Sequence, residues 1–391
     1  MMKILHGIHS LNPAHGGTTF GLRGMVQELL AQGHQTEILV LDAPDSPWLS
    51  DWPCPVHALG TGLGNYGFNP SFARFALNQM PRFDHAVIHG LWQFHGCSLR
   101  SACLRSSVPY SLFPHGMLDA WFAKAYPLKH LQKRLYWRLI EHRVFRDASR
   151  VFFTTEGELD SGRTTFSPFS VKPAFAPFGI SPPPSEISEY QSAFATRNPG
   201  LTGRKTLLFL GRLHPKKGCD LMIQGAAHWL QTLPPSDRQK WHLRFVGPCE
   251  DQSYFNQLKA MAQSLGLFTQ DLISFHDAVS GDQKWQELAA ADALVLPSHQ
   301  ENFGVVIAEA FACGTPALIS DKVNGWQAME SMNAALVAPD SVAGVEQLLN
   351  QWANLSPEKR ALMSFAARNY YDSNMSAAVS VSRFLDGVPQ P

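Results

Sequence analysis

Two glutamates at E-x7-E spacing carry the clearest chemistry in the chain. Residues 298–309 read SHQENFGVVIAE and follow the apolar run ALVLP, which places Glu301 in a loop at a strand's carboxyl end and Glu309 on the next helix. An ionised carboxylate accepts hydrogen bonds through two oxygens and can grip a pair of vicinal hydroxyls. One such group on the loop and one in the helix would hold the sugar and the ribose of a single nucleotide sugar. The free backbone N–H groups around Asn302, Phe303, Gly304 and Val305 open that helix and suit the diphosphate between them. The competing reading is a glutamate serving the helix dipole and a second, unrelated surface glutamate.

Three other stretches sit where strands end. In GRLHPKKG (211–218), Gly211 permits a tight turn, and Arg212 and Lys217 supply fixed cations that would offset charge growing on a departing diphosphate. No D-x-D pair occurs, so the usual carboxylate bridge from a metal to a diphosphate is missing, and no metal site is expected. The alternative for this loop is ordinary surface charge. Gly16 and Gly17 lie between the first strand and first helix, where backbone approaches a phosphate closely or simply turns. The pair is not GxGxxG. His115, in PHGMLDAW, follows the strand PYSLF and would hydrogen-bond a donor-sugar hydroxyl or a nearby carbonyl. Most of the 16 histidines must be bystanders, so position alone singles this one out.

The elements that must position these residues follow from apolar runs and their punctuation. KILHGI (3–8), a glycine-bearing loop, a helix with Phe20, Met25, Leu29 and Leu30 at helical spacing, and the strand TEILVLD make a βαβ unit, with Gly33 at the helix C-cap. Strands are expected at 84–89, 109–113 and 150–154, with a long helix over about 127–147. Pro177 and Pro182 to Pro184 can continue neither a helix nor a central strand, so the domain boundary belongs there. A second α/β series starts at 206, with strands at 242–246, 272–275, 293–296 and 316–319 alternating with helices. The expected division is an N-terminal acceptor-side domain (1–178), a linker (179–205) and a C-terminal donor domain (206–371). A last segment, 372–391, is expected to return to the first domain. Two open sheets in tandem would face each other across a ligand-binding cleft.

Composition bounds the rest. Hydrophobic residues are 45% of the 391, normal for folded domains, and 32 basic residues cancel 32 acidic ones. No global field would collect nucleic acid. Six scattered cysteines without CxxC spacing read as reduced thiols, and no run is apolar enough to span a membrane, so a cytoplasmic protein is expected. The stretch 126–146 carries six Lys/Arg against one Glu, with Leu128, Leu131, Leu135 and Leu139 on one stripe. Two readings stand: peripheral contact with an inner-membrane surface or an anionic lipid-linked acceptor, and a core-packed helix with a solvated basic face.

The ordered set Gly16-Gly17, His115-Gly116, GRLHPKKG and ENFGVVIAE resembles the family-4 retaining glycosyltransferases of the GT-B fold, over nearly the whole chain. PHGMLD followed by a basic helix resembles the bacterial branch that builds surface polysaccharides. The resemblance implies that Arg212 and Lys217 bind the donor diphosphate, that Glu309 holds the ribose, and that Glu301 with residues 302–304 holds the sugar. His115 would contact that sugar, Gly17 would lie against the diphosphate, and Ala278 and Val279 would touch the base. No cofactor is implied beyond a nucleoside-diphosphate sugar as donor. The partner is a glycan or lipid-linked acceptor, and the reaction is metal-independent hexosyl transfer. This chain has Phe178-Gly179 where the family often has Asn-Gly. The rival readings are a GT-B-fold sugar-nucleotide epimerase, a glycan phosphorylase, and a non-catalytic sugar-nucleotide-binding subunit.

Overall fold

Short apolar runs become parallel strands here because each βαβ crossover lays a helix over one face of the sheet and buries the central strands. The computed structural model describes residues 1–13, 16–118 and 127–389. By contacts they divide into one unit of residues 1–181 with 375–391, and a second of residues 182–374.

In the first unit, β1 (Lys3–Ile8), β2 (Gln35–Val40), β3 (Val56–Ala58), β4 (His85–His89), β5 (Tyr110–Phe113), β6 (Arg150–Phe153) and β7 (Pro173–Phe175) make one parallel sheet. Its order is β3-β2-β1-β4-β5-β6-β7, so the winding direction reverses between β1 and β4. The helices are α1 (Gly17–Ala31), α2 (Pro70–Gln79), α3 (Phe94–Ser106), α4 (Pro127–Tyr136), α5 (His142–Asp147) and α6 (Glu156–Thr165). Phe72, Leu99 and Phe145 pack on one face of the sheet, against Leu5, Ile88 and Leu112. On the other, Met25 and Leu29 of α1 join Val381 and Phe384 of the C-terminal helix (Ala377–Gly387) against Ile4, Val87 and Phe152. Gly33 is left-handed at φ 82°, and the His34 amide donates back to the Leu29 carbonyl at 3.0 Å, the expected helix stop. Phe20, placed on the buried stripe by spacing, is exposed instead; Leu22 and Val26 take the buried positions.

The second unit opens with α7 (Ile187–Arg197), inside the stretch 179–205 set aside as a linker. Tyr190 and Phe194, four residues apart, bury its inner face, and Arg197 pairs with the buried Glu287 at 2.7 Å. Then come β8 (Lys205–Leu210), α8 (Cys219–Thr232), β9 (Trp241–Val246), α9 (Gln252–Ser264), β10 (Ile273–His276), α10 (Gly281–Ala290) and β11 (Ala293–Leu296). The series closes with α11 (Val305–Ala312), β12 (Ala317–Ser320), α12 (Trp326–Ser331), β13 (Ala335–Ala338), α13 (Val342–Asn354) and α14 (Pro357–Asn374). The sheet order β10-β9-β8-β11-β12-β13 repeats the reversal, now between β8 and β11. Ligands of such sheets bind beyond the carboxyl ends of the strands at that reversal, where the two neighbouring loops part.

Candidate active site

The loops after β8 and β11 flank the reversal of the second sheet, and they carry the residues singled out by spacing. Gly218 ends the first loop in a left-handed conformation, φ 67°, and a side chain there would meet the Pro297 carbonyl at 2.2 Å from its Cβ. Only glycine lets the two loops close up this way. The His299 amide donates to the Lys216 carbonyl at 2.9 Å and locks them together. Lys217 pairs with Glu301 through Nζ and Oε2. Thus one predicted cation and one predicted carboxylate, 84 positions apart, stand in direct contact.

Glu301 is also held through its backbone. Its amide donates to the Lys322 carbonyl at 3.0 Å, and the Asn324 amide donates to the Glu301 carbonyl at 2.9 Å. Asn324 Nδ2 reaches Asn302 Oδ1 at 3.2 Å, Phe303 is buried, and Gly304 is left-handed at φ 68° as it opens α11, which begins at Val305. No side chain caps α11, so its first amides have no side-chain partner of that kind. Glu309, one turn further on, is buried, and burial raises its carboxyl above the ordinary range while Lys284 of α10 opposes the rise. Lys284 Nζ lies 2.5 Å from Glu309 Oε1. Arg212 is exposed on the β8 loop. Its charge, with those of Lys216 and Lys217, adds to burial in holding His214 below the usual imidazole range.

Ala278 and Val279 lie between β10 and α10, the helix that brings Lys284 to Glu309. A buried network anchors that loop. Arg244 of β9 donates to both oxygens of Glu287, at 2.6 and 2.9 Å, and to His276 Nε2 at 2.7 Å. In the first unit, Gly16 is left-handed at φ 80° and caps α1, whose first residue is Gly17. His115 carries a positive φ of 53°, strained for a non-glycine residue. The Gly116 amide after it donates to Glu158 Oε1 at 2.5 Å, which fixes the turn. Residues 119–121 of PHGMLDAW lie outside the described residues.

Comparison with known proteins meets this geometry. The family model for glycosyl transferases group 1 matches residues 194–370, and the glycosyl transferase 4-like domain matches residues 16–170. The chain belongs to the family-4 glycosyltransferases. The fold agrees: a solved structure of Anabaena HepE in complex with UDP and glucose superposes with a TM-score of 0.74 at 17% identity, covering 99% of each chain. WaaG, a glycosyltransferase involved in lipopolysaccharide biosynthesis, gives 0.65 at 18% identity over 98% of each. Both carry the GT-B fold of two Rossmann-like domains, and so does this chain. The D-inositol 3-phosphate glycosyltransferase of Acidothermus cellulolyticus is 36% identical over 152 residues, which are 37% of this chain and 33% of that protein. Over the first curated relatives the chain spans only about a quarter to two fifths of their length.

One feature of this glycosyltransferase-family chain escaped the sequence, and one of the two readings of the basic helix fails. Lys284 is one lysine on an ordinary amphipathic helix, and nothing in its spacing points to a partner 25 positions away. The basic helix, described from Pro127, differs from its core-packed reading: Leu128, Leu131, Leu135 and Leu139 are 80%, 64%, 62% and 56% exposed. The buried side starts at Trp137, where a π turn (Trp137–Glu141) shifts the register, so that Trp137, Glu141, Val144 and Phe145 face the core. An inserted π turn rotates the helix face, and the leucine stripe is left outside.

Proposed function

We propose that this chain is a retaining glycosyltransferase that moves a hexosyl group from a nucleoside-diphosphate sugar to an acceptor hydroxyl. The observation that carries the reading is the contact of Lys217 with Glu301 at the reversal of the second sheet, with Glu309 buried in the helix that follows. The pairing holds the two side chains together until a donor arrives. The diphosphate then takes Lys217 and Arg212, and Glu301 turns to the sugar hydroxyls. Glu309, steadied by Lys284, holds the ribose, the amides from Asn302 to Val305 meet the diphosphate, and Ala278 and Val279 lie along the base. In the first unit, Gly16, Gly17 and His115 keep the roles that the family resemblance implies for them.

The bond from the anomeric carbon to the diphosphate oxygen breaks, and the acceptor oxygen bonds to that carbon from the same face. The acceptor proton passes to a diphosphate oxygen. Fixed cations stabilise most where charge grows, which is on the leaving group. In this reading those cations replace a metal, so chelation leaves the rate unchanged. HepE was solved with UDP and glucose, which makes a UDP-hexose the first donor to assay. The exposed leucine stripe with its basic flanks favours a lipid-linked glycan at an anionic inner-membrane surface, in polysaccharide assembly. A second acceptor class, phosphorylated cyclitols or sugars, rests on similarity to D-inositol 3-phosphate glycosyltransferases and to a mannosylfructose-phosphate synthase.

The test is a panel of UDP-, GDP- and ADP-hexoses with each acceptor class, read as nucleoside diphosphate release. Lys217→Ala should lower turnover by roughly a hundredfold or more while the protein stays folded. Near-normal turnover in that variant would falsify the role of the pair.

A further inference from the structure

Three histidines in the first unit stand in a line. His6 on β1, His89 on β4 and His115 beyond β5 project from three adjacent strands at the sheet's reversal. His6 Nδ1 lies 3.1 Å from His89 Nε2, and His89 Nδ1 lies 3.0 Å from His115 Nε2. The rings stack, with centroids 5.3 and 5.2 Å apart. Among the described residues no group of three or more His, Cys, Asp or Glu side chains is arranged to hold a metal, and these nitrogens face one another in a chain instead of meeting at a point.

Each link needs one N–H and one lone pair, and a neutral imidazole has one of each. Both links can therefore form only if all three rings share one tautomer. The terminal nitrogens, His6 Nε2 and His115 Nδ1, are buried and have no hydrogen-bond partner among the described residues. One of them must carry an N–H and the other a lone pair. His6 is wholly buried within the sheet, whereas His115 is half-buried at a strand end and borders a small pocket lined by Gly21, Leu22, Thr154, Pro177 and Phe178. A buried N–H left unpaired is rarer than an under-used lone pair, so the lone pair belongs at His6 and the N–H at His115. Neighbouring histidines do not compete: His95 Nε2 donates to the His89 carbonyl at 2.9 Å, and His85 Nε2 pairs with Ser111 Oγ at 2.9 Å. Burial holds all three rings of the chain below the usual imidazole range, which keeps them neutral.

We propose that His6, His89 and His115 form one tautomer-coupled relay that fixes His115 as an Nδ1–H donor toward an acceptor oxygen, with His6 and His89 as positioning residues. That the oxygen is a hydroxyl of the donor sugar rests on the glycosyltransferase reading; the relay itself rests only on the first unit.

The experiment is long-range proton–nitrogen NMR of the full chain labelled at histidine. The expected result is a protonated Nδ1 and a bare Nε2 on all three rings. Protonation of His115 at Nε2, or a charged His115 near neutral pH, overturns the relay. In His6→Leu, His115 should become a mixture of tautomers, and His6→Asn, whose amide can donate where Nδ1 did, should restore the single form. An unchanged His115 in His6→Leu also overturns it. Turnover should fall severalfold in His6→Leu and recover in His6→Asn; full turnover with a mixed tautomer ends the positioning role. If the wild-type chain transfers no sugar, the functional reading fails while the NMR result still decides the relay.

Discussion

Lys217 and Glu301 illustrate how one contact serves two states. Without a donor they neutralise each other, so neither is left as an uncompensated charge in a partly buried loop. Lys284 and Glu309 differ in kind, because Glu309 is deeply buried and its lysine opposes the upward push of burial on the carboxyl. The functional reading needs Glu309 ionised, since only the carboxylate accepts from two ribose hydroxyls at once. Removing the lysine leaves the carboxyl with its desolvation penalty alone, and its pKa rises further. Lys284→Met should therefore weaken donor binding at low pH, where Glu309 takes up a proton, and recover affinity as pH rises through the new value. Titration calorimetry with a UDP-hexose at several pH values checks this. A variant with the wild-type pH profile would show that Lys284 does not control Glu309.

Among the elements, the helix spanning 127–146 departs most from soluble habit. A leucine stripe rimmed by Lys129, Lys133, Arg134 and Arg138 faces outward from a helix whose first ten residues, Pro127–Tyr136, include none that is fully buried. Apolar residues outside a basic rim gain free energy only when something covers them, and an anionic lipid surface suits both features. Replacing Leu131 and Leu135 by serine should reduce sedimentation with vesicles containing anionic lipid severalfold and leave the thermal midpoint within a degree or two, because exposed positions contribute only about half a kcal/mol or less. A large loss of thermal stability would place the stripe against protein instead. The α8–β9–α9 and α10–β11–α11 units behave differently. Their strands and helix starts were legible from apolar runs and glycines, since buried parallel strands leave that pattern. The three-residue edges β3 and β7 left no such signal, being short and only partly buried.

For the whole molecule, the two units share an architecture but differ in acid sensitivity. In the first, burial lowers His6 to about 3, His85 to about 4, His95 to about 4 and His115 to about 3, and holds His89 well below its ordinary value. In the second, His242 is lowered to about 4, and His214 and His276 less far. Each lowered histidine binds its proton more readily unfolded than folded, so its contribution is complete above about pH 6.5 and is lost as pH falls toward the folded value. His34 and His130 of the first unit are lowered less far, mainly by burial, and seven such groups against three predict that β1, β4 and β5 lose hydrogen-exchange protection before β8, β9 and β11 as the pH drops from 7 to 5, after correction for intrinsic rates. Equal losses in the two units would contradict it. The sequence by itself determined the class of fold and which loops stand at strand ends, because alternating buried strands and helices, punctuated by glycine and proline, leave a local pattern. Tertiary structure alone decided the partners. Lys217 meets Glu301, Lys284 meets Glu309, and His6 meets His89 and His115 across tens of positions, since strand order and burial are properties of the packed sheet and not of any window along the chain.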